Sequence, residues 1–313
     1  MTRSSLFPIL LLSFATQVVS SVEPEHRCSL WIDPYRGEPV TYDQVVEDLA
    51  SVRVVYLGEA HSLARHHELQ ESILRDLAAK GKLLVLGIEQ LECYQQPHLD
   101  RYNGGEIDFD ELATLTNWRK RWSGFEQYRS LVEAARELKI PVLALNARAE
   151  TVREVFRKGG VNGLDAKTRA ELPEEMLLKD PPYERHLNRQ LMVHMAVDEE
   201  RLRPMREAQI ARDETMAATL AEYLLCDTGN DRSAVVICGT GHAAYGYGIP
   251  TRVRRRLPNV TDRIVVPSQS GDVELPKAAM AATRDVEITH AQLRHTGCPI
   301  GDYLHITAFR TPR

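Results

Sequence analysis

Two glutamates and two histidines of this chain could do chemistry together, and each follows a short apolar run. They are Glu59, His61, Glu89 and His242. Carboxylates beside imidazoles can hold a divalent metal ion, or they can transfer protons as general acids and bases. These four residues are therefore the candidate catalytic residues and also the candidate metal ligands. A structural alternative for Glu59 is that it caps the helix that follows it.

Four further polar residues are candidates for contacting a ligand. Arg148 ends another apolar run, so we expect it to pair with Glu89, either as a structural ion pair or as part of a site. Gln209 lies near the apolar stripe of a predicted helix, where it either contacts a ligand or holds the helix in place. Tyr245 and Tyr247 follow His242 closely, and their phenols either ligate ferric iron or pack.

The apolar runs that precede these residues predict the sheet that positions them. The runs are 52–57, 83–88, 141–145 and 234–238, and predicted helices separate them. Strands that alternate with helices indicate an α/β fold with a mostly parallel sheet covered by helices on both faces. In such sheets, sites form at the carboxyl ends of the strands, so the polar residues are expected to converge there.

Helical patterns dominate residues 151–226, with 205–225 as the clearest helix. They predict a helical insertion within one domain that spans residues 42–266. A strand at 263–266 closes this domain. Residues 267–313 are expected to form a C-terminal extension that contains one more strand at 304–309.

Charge and motifs exclude several classes of protein. The net charge is −5 and the charges are interspersed, so no nucleic-acid partner is expected. The arginines of segment 252–256 are predicted to be a solvated helix end. Gly239-Thr240-Gly241-His242 lacks the Lys-Ser/Thr of a P-loop and the spacing of a dinucleotide fingerprint, and the sequence contains neither GxSxG nor HExxH. The glycines of Gly239-Thr240-Gly241-His242 are expected to allow close backbone approach or positive φ, which leaves His242 aimed across the site.

The N-terminus has the layout of a cleavable export signal. Arg3 precedes an apolar stretch over residues 6–19, and small residues follow it. We expect residues 1–21 to be removed and the mature protein to be periplasmic or secreted. Export permits a disulfide, and Cys28 with Cys298 is the expected pair.

An ordered set of motifs resembles the ChaN-like proteins, the haem-binding uptake branch of the Tiki superfamily, over roughly residues 42–266. The set comprises Gly58-Glu59-Ala60-His61 with His66-His67, Gly87-Ile88-Glu89-Gln90-Leu91, Gln96-Pro97, Leu99-Asp100-Arg101-Tyr102, Tyr128-Arg129, Pro141-Val142-Leu143-Ala144-Leu145-Asn146, Ala208-Gln209, Arg212-Asp213-Glu214-Thr215-Met216-Ala217, Gly239-Thr240-Gly241-His242 and Tyr247-Gly248-Ile249-Pro250. After His61, Ser62-Leu63-Ala64-Arg65 stands where Asp-Asn is frequent in the family.

The resemblance implies an exported or membrane-associated α/β protein of haem or iron acquisition. It further implies haem bound near the strand ends, a possible homodimer and peripheral association with an envelope uptake system. The family is similar to Tiki-type metal-dependent proteases and to erythromycin esterases. In those proteins, glutamate and histidine at the positions of Glu59, His61, Glu89 and His242 serve metal binding or catalysis.

Two hypotheses follow. In the first, haem lies at the sheet edge, its iron takes a histidine or tyrosine ligand, and Arg148 pairs with a propionate; the candidate contacts are His61, Arg148, Gln209, His242, Tyr245 and Tyr247. In the second, Glu59, His61, Glu89 and His242 hold a divalent metal or activate water in a hydrolase. A module whose site no longer reacts is a third possibility.

Overall fold

The computed structural model describes residues 27–122, 124–194, 199–269 and 297–309. One sheet holds eight strands: β1 (Arg27–Asp33), β2 (Glu38–Val40), β3 (Val54–Glu59), β4 (Leu84–Glu92), β5 (Val142–Asn146), β6 (Ser233–Gly239), β7 (Asp262–Pro267) and β8 (Tyr303–Phe309). Their spatial order is β2-β1-β8-β7-β3-β6-β4-β5. Neighbours from β8 to β5 run parallel, and β1 pairs antiparallel with both β2 and β8. The predicted export signal, residues 1–21, lies outside the described residues.

Helices cover both faces of this sheet. They are α1 (Tyr42–Ser51), α2 (Ala64–Ala79), α3 (Gln96–Asn103), α4 (Phe109–Leu115), α5 (Trp118–Arg121), α6 (Arg129–Glu137), α7 (Ala149–Arg157), α8 (Ala166–Arg169), α9 (Pro181–His194), α10 (Glu199–Leu225), α11 (Thr240–Ala243) and α12 (Ile249–Arg256). Helices α7 to α10 make up the predicted helical region. The predicted α/β class with a mostly parallel, doubly covered sheet is confirmed.

Side chains that point alternately to the two faces of the buried strands divide the core into two layers. On β3, Val55 and Leu57 join the cluster that includes α2 and α6, whereas Val54 and Tyr56 join the cluster that includes α10 and α12. Successive side chains of a strand point to opposite faces, so each strand binds helices on both sides. The continuous apolar runs in the sequence reflect this two-sided burial.

One edge of the sheet was not predicted. β1 and β2 form a hairpin edge, and β8, from the predicted C-terminal extension, lies between β1 and β7. The predicted strand 304–309 is confirmed as β8, and it belongs to the main sheet. Within the described residues, no helix is both long enough and apolar enough to cross a membrane.

The arginines at the end of α12 are not simply solvated. Arg252 is fully buried, and its Nε lies 3.2 Å from Glu214 Oε1 on α10. Arg255 and Arg256 contact the other carboxylate oxygen, Oε2, at 2.8 and 2.6 Å. Because a buried carboxylate must be paired, Glu214 forms ion pairs with three arginines of α12, and these pairs hold α12 against α10. The prediction of a solvated helix end is therefore wrong for Arg252.

Candidate functional site

Glu59 ends β3 and is the centre of one buried polar network. Its Oε1 accepts hydrogen bonds from His61 Nδ1 at 2.7 Å, Gln90 Nε2 at 3.0 Å and the Tyr128 hydroxyl. Its Oε2 accepts from Gln70 Nε2 at 2.8 Å. Burial favours a raised pKa for Glu59, but hydrogen bonds from His61 and the neighbouring His67 outweigh burial and lower this pKa to about 2. Glu59 is therefore ionised and does not cap α2 with its side chain.

His61 is the member of this network that reaches solvent. Its side chain is 41% exposed, whereas that of Glu59 is fully buried. Burial lowers the pKa of His61, but the hydrogen bond to Glu59 and the charge of Glu89 reverse this effect and raise the pKa above its usual value. Because Nδ1 is committed to Glu59, Nε2 is the nitrogen that can act on a ligand.

Gly239 allows the two strand ends to approach each other. It pairs with Glu59 across β3 and β6, and its amide donates to Glu89 Oε2 at 2.7 Å. A Cβ atom at this position would lie 2.9 Å from His61 Nε2 and 3.6 Å from Glu89 Oε2. Because Gly239 has no side chain, His61 and Glu89 can both lie close to its backbone. This agrees with the expectation that the glycines permit close approach.

Glu89 forms a second buried network beside the first. Its Oε1 lies 2.6 Å from Arg212 Nη2 and 3.2 Å from His242 Nε2. Burial opposes its ionisation, but the charges of His242 and Arg212 prevail and hold the pKa of Glu89 well below its usual value. Glu89 is thus an ionised carboxylate whose partners come from α10 and α11.

His242 is enclosed between two carboxylates. Its Nδ1 donates to Asp213 Oδ1 at 2.5 Å, and its Nε2 faces Glu89. Asp213 is fully buried and also accepts from the Tyr183 hydroxyl at 2.5 Å. Burial lowers the pKa of His242, but Glu89 and Asp213 raise it to about 9, so the ring is an imidazolium at neutral pH. Both ring nitrogens then carry protons and face carboxylates, Nδ1 towards Asp213 and Nε2 towards Glu89.

Arg148 does not reach Glu89, and the predicted pairing is wrong. Arg148 is half-exposed, contacts Glu150 and Glu171 at 3.4 Å, and stacks on Tyr94. Arg212 occupies the expected position because α10 crosses the strand ends, and it also contacts Asn146 Oδ1 at 3.2 Å. Arg148 therefore lies outside the cluster formed by Glu59, His61, Glu89 and His242.

Gln209 lies against the His242 ring at the edge of the second network. Its amide nitrogen lies 3.1 Å from His242 Nδ1. It also lines a cavity of about 400 Å³ between α7, α9 and α10. Gln209 thus stands between the imidazolium and the open space beside it.

Tyr245 and Tyr247 form a separate aromatic cluster with His186 of α9. The ring centroid of His186 lies 5.2 Å from that of Tyr245 and 5.9 Å from that of Tyr247. Tyr245 has a positive φ of 59°, a conformation that is costly for a residue other than glycine and that concentrates at functional sites. Tyr183 packs 6.4 Å from Tyr247 and connects this cluster to Asp213.

His186 was not singled out in the sequence, yet its environment is unusual. It is 7% exposed, and its Nε2 has no hydrogen-bond partner among the described residues. Burial and, secondarily, Arg189 lower the pKa of His186 to about 4, so the ring is neutral at physiological pH. A neutral imidazole and two phenols are ligands that haem iron accepts. No periodic pattern in the sequence singles out His186, and Tyr245 and Tyr247 meet it only through the fold.

The predicted metal set does not assemble as a metal site. In the part of the chain that the structure describes, no group of three or more His, Cys, Asp or Glu side chains has a metal-binding arrangement. The carboxylates of Glu59 and Glu89 and both ring nitrogens of His242 are engaged in the two networks. The expected disulfide is also not formed, since Cys298 is a free thiol.

Comparisons with known proteins place the chain in a family. Residues 45–253 match the family described as haem-binding uptake, Tiki superfamily, ChaN. A search of curated proteins finds no match. The fold is similar to that of ChaN of Campylobacter jejuni, a structure described for cofacial haem binding, with a TM-score of 0.67 and 19% identity over 90% of this chain and 97% of that chain.

A second solved structure is more distant. A mutant of the erythromycin esterase EreC in its open conformation has a TM-score of 0.44 and 10% identity over 72% of each chain. The ChaN likeness concerns the fold, whereas the family match covers more than half of the 313 residues. The chain therefore belongs to the ChaN-like haem-binding uptake family of the Tiki superfamily.

Proposed function

We propose that this protein binds haem through the cluster of His186, Tyr245 and Tyr247. The observation that carries the proposal is the buried, neutral imidazole of His186, whose Nε2 is unpartnered beside two phenols. Leaving a buried polar atom unsatisfied costs about 1–3 kcal/mol, and a ligand in this cluster would remove that cost. Family membership supports haem as the ligand.

The cluster fits haem better than His242 and Arg148 do. Both ring nitrogens of His242 face carboxylates at 2.5 and 3.2 Å, and Arg148 lies apart from the strand-end cluster. Tyr245 and Tyr247 are partly exposed, so one phenol can present its oxygen to ferric iron while His186 lies beside it. The iron would supply ligand exchange and redox chemistry, whereas the protein residues bind and orient the porphyrin.

Haem binding is tested by titrating the purified protein with hemin. A saturable shift of the Soret band is expected, and it should weaken in Tyr245→Phe or Tyr247→Phe, according to which phenol is the ligand. Tyr35→Phe is the matched control, because Tyr35 is 63% exposed and lies on the loop after β1. An unshifted wild-type spectrum would refute the proposal.

We also propose that the protein is exported and acts in haem uptake or trafficking, as a possible homodimer at the envelope. The export layout of residues 1–21 and the family membership support this role. N-terminal sequencing of the protein purified from an exporting host should find a mature chain that begins near residue 21. An uncleaved cytoplasmic protein would contradict export.

A second candidate function is hydrolysis in which His61 acts as the general base. The specific observation is His61, whose Nδ1 is held by an ionised Glu59 while the side chain reaches solvent. His61 Nε2 would take a proton from water, and Glu59 would stabilise the resulting imidazolium. The water oxygen would then bond to an acyl carbon while the carbonyl π pair moves to its oxygen. When this oxyanion collapses, the bond to the leaving group would break, and the His61 imidazolium would give that group its proton.

Chromogenic esters and labelled peptides test this second candidate. Turnover should persist in chelator and should disappear in His61→Ala, with Ser62→Ala as a neighbouring control. The rate should rise with pH through the raised pKa of His61, because the neutral ring is the base. Turnover that is unaffected by His61→Ala would exclude this site as its source.

A further inference from the structure

Two cavities meet at the carboxyl end of the sheet. The first, of about 400 Å³, lies between α7, α9 and α10. The second, of about 520 Å³, lies between α5 and α7. Val152, Arg153 and Arg212 line both cavities, so the two spaces share one wall. We name the first space the α7–α10 cavity.

The α7–α10 cavity combines apolar walls with positive charge. Val152 and Phe156 of α7 face Leu187 of α9 and Met205 of α10 across it. Phe156 is 51% exposed, which is a large apolar surface for water to contact. The described residues that line the α7–α10 cavity include Arg153 and Arg212 and no acidic residue. Cavities of this size and character are typical of small-molecule sites.

Both arginines retain capacity to bind an anion. Arg153 has a side chain that is 68% exposed, and its Nη1 is 3.8 Å from Glu150, beyond hydrogen-bonding distance. Arg212 uses Nε on Asn146 and Nη2 on Glu89. Its Nη1 makes no hydrogen bond to another described residue. A guanidinium group matches a carboxylate in shape as well as charge.

The structure thus points to a second ligand site, and we propose that the α7–α10 cavity binds a small amphipathic carboxylate. The apolar body lies against Val152, Phe156, Leu187 and Met205, and the carboxylate reaches Arg153 and Arg212. His186, Tyr245 and Tyr247 do not line this cavity, although its lining residue Leu187 belongs to the apolar cluster against which Tyr247 packs. The cavity places the acid group next to Gln209, which contacts His242.

Isothermal titration calorimetry with decanoate and decanol tests the site, since the two probes share an alkyl chain and only decanoate is charged. Decanoate should bind the full-length protein, and decanol should bind at least about tenfold more weakly, the equivalent of one lost charge-assisted bond. Arg153→Gln should weaken decanoate binding by a similar factor. Arg157→Gln is the matched control, because Arg157 ends the same helix, pairs with Glu154 and does not line the cavity.

Two further arms separate this site from the haem site. Decanoate binding should survive Tyr245→Phe and Tyr247→Phe, and saturating hemin should not displace it. Equal binding of decanol, an unchanged affinity in Arg153→Gln, or displacement by hemin would each overturn the proposal. The comparison of decanoate with decanol and the effect of Arg153→Gln do not depend on whether hemin binds to the tyrosine cluster.

Discussion

His242 Nδ1 donates to Asp213 Oδ1 over 2.5 Å, and this bond joins α11, which follows β6 directly, to the long helix α10. Both side chains are buried, so the imidazolium and the carboxylate depend on each other for compensation. On the opposite side of the ring, Glu89 supplies a second negative charge 3.2 Å from Nε2. Together, these contacts make His242 a structural cation at the strand ends.

Asp213→Asn should destabilise the protein strongly. The substitution removes a charge that compensates His242 and alters the acceptor of Tyr183, and breaking such a buried pair typically costs about 3–5 kcal/mol. Urea unfolding measures the loss as a change in the free energy of unfolding. Asp231→Asn, at an exposed position, is the control and should change that free energy by less than about 0.5 kcal/mol. Equal effects of the two variants would contradict the proposed role of Asp213.

Arg212→Gln and Arg148→Gln should differ in their effects on stability. Arg212 compensates the buried Glu89, so its loss should cost about 3–5 kcal/mol. Arg148 makes only exposed ion pairs, so its loss should cost at most about 1 kcal/mol. Chemical denaturation of both variants provides the comparison. The reverse ranking would favour the pairing of Arg148 with Glu89 that the sequence alone suggested.

The stability of the fold should decline at both ends of the pH range. The folded pKa of His242, about 9, exceeds its ordinary value of 6.5, so its contribution is complete below pH 6.5 and is lost as pH rises through 9. The folded pKa of Glu59, about 2, lies below 4.5, so its contribution is complete above pH 4.5 and is lost as pH falls through 2.

Thermal unfolding at a series of pH values between about 3 and about 10 measures this profile, because Glu59 governs the decline at the acid end and His242 the decline at the alkaline end. His242→Gln should remove much of the alkaline decline and leave the acid decline in place. If this variant kept the full alkaline decline of the wild type, His242 would not be the responsible group.

Gly239→Ala should preserve the fold but displace His61. Its φ of −53° suits alanine, and the new Cβ would first meet the His61 ring, whose Nε2 lies 2.9 Å away. That ring is the end of a partly exposed side chain, so the loss of stability should stay below about 1.5 kcal/mol. The pKa of His61, followed by NMR, should fall towards 6.5 as its contact with Glu59 weakens. An unchanged pKa would show that Gly239 does not set the position of His61.

The sequence predicted the parts of the fold that depend on continuous burial. The strands β3, β4, β5 and β6 are buried on both faces, and this property leaves apolar runs that can be read directly. The polar residues at their carboxyl ends were found for the same reason. The hairpin of β1 and β2 escaped prediction because edge strands are short or half-exposed and leave a weak pattern.

Partners supplied by distant elements could not be read from the sequence. Arg212 meets Glu89 because α10 packs across β5, and no local spacing specifies which arginine arrives there. Asp213 stands out in the sequence only as part of a motif, although with Glu89 it stabilises the charge of His242. His186 acquires its significance only when α9 brings it to Tyr245 and Tyr247.

Electron paramagnetic resonance of the ferric haem complex, recorded together with the Soret spectrum, tests the central claim most directly. The wild-type protein should give a saturable complex whose iron signal is that of protein-ligated haem. The triple variant His186→Ala, Tyr245→Phe, Tyr247→Phe should lose that signal and leave only the spectrum of free hemin. A triple variant with wild-type spectra and affinity would show that the cluster of His186, Tyr245 and Tyr247 does not hold the haem.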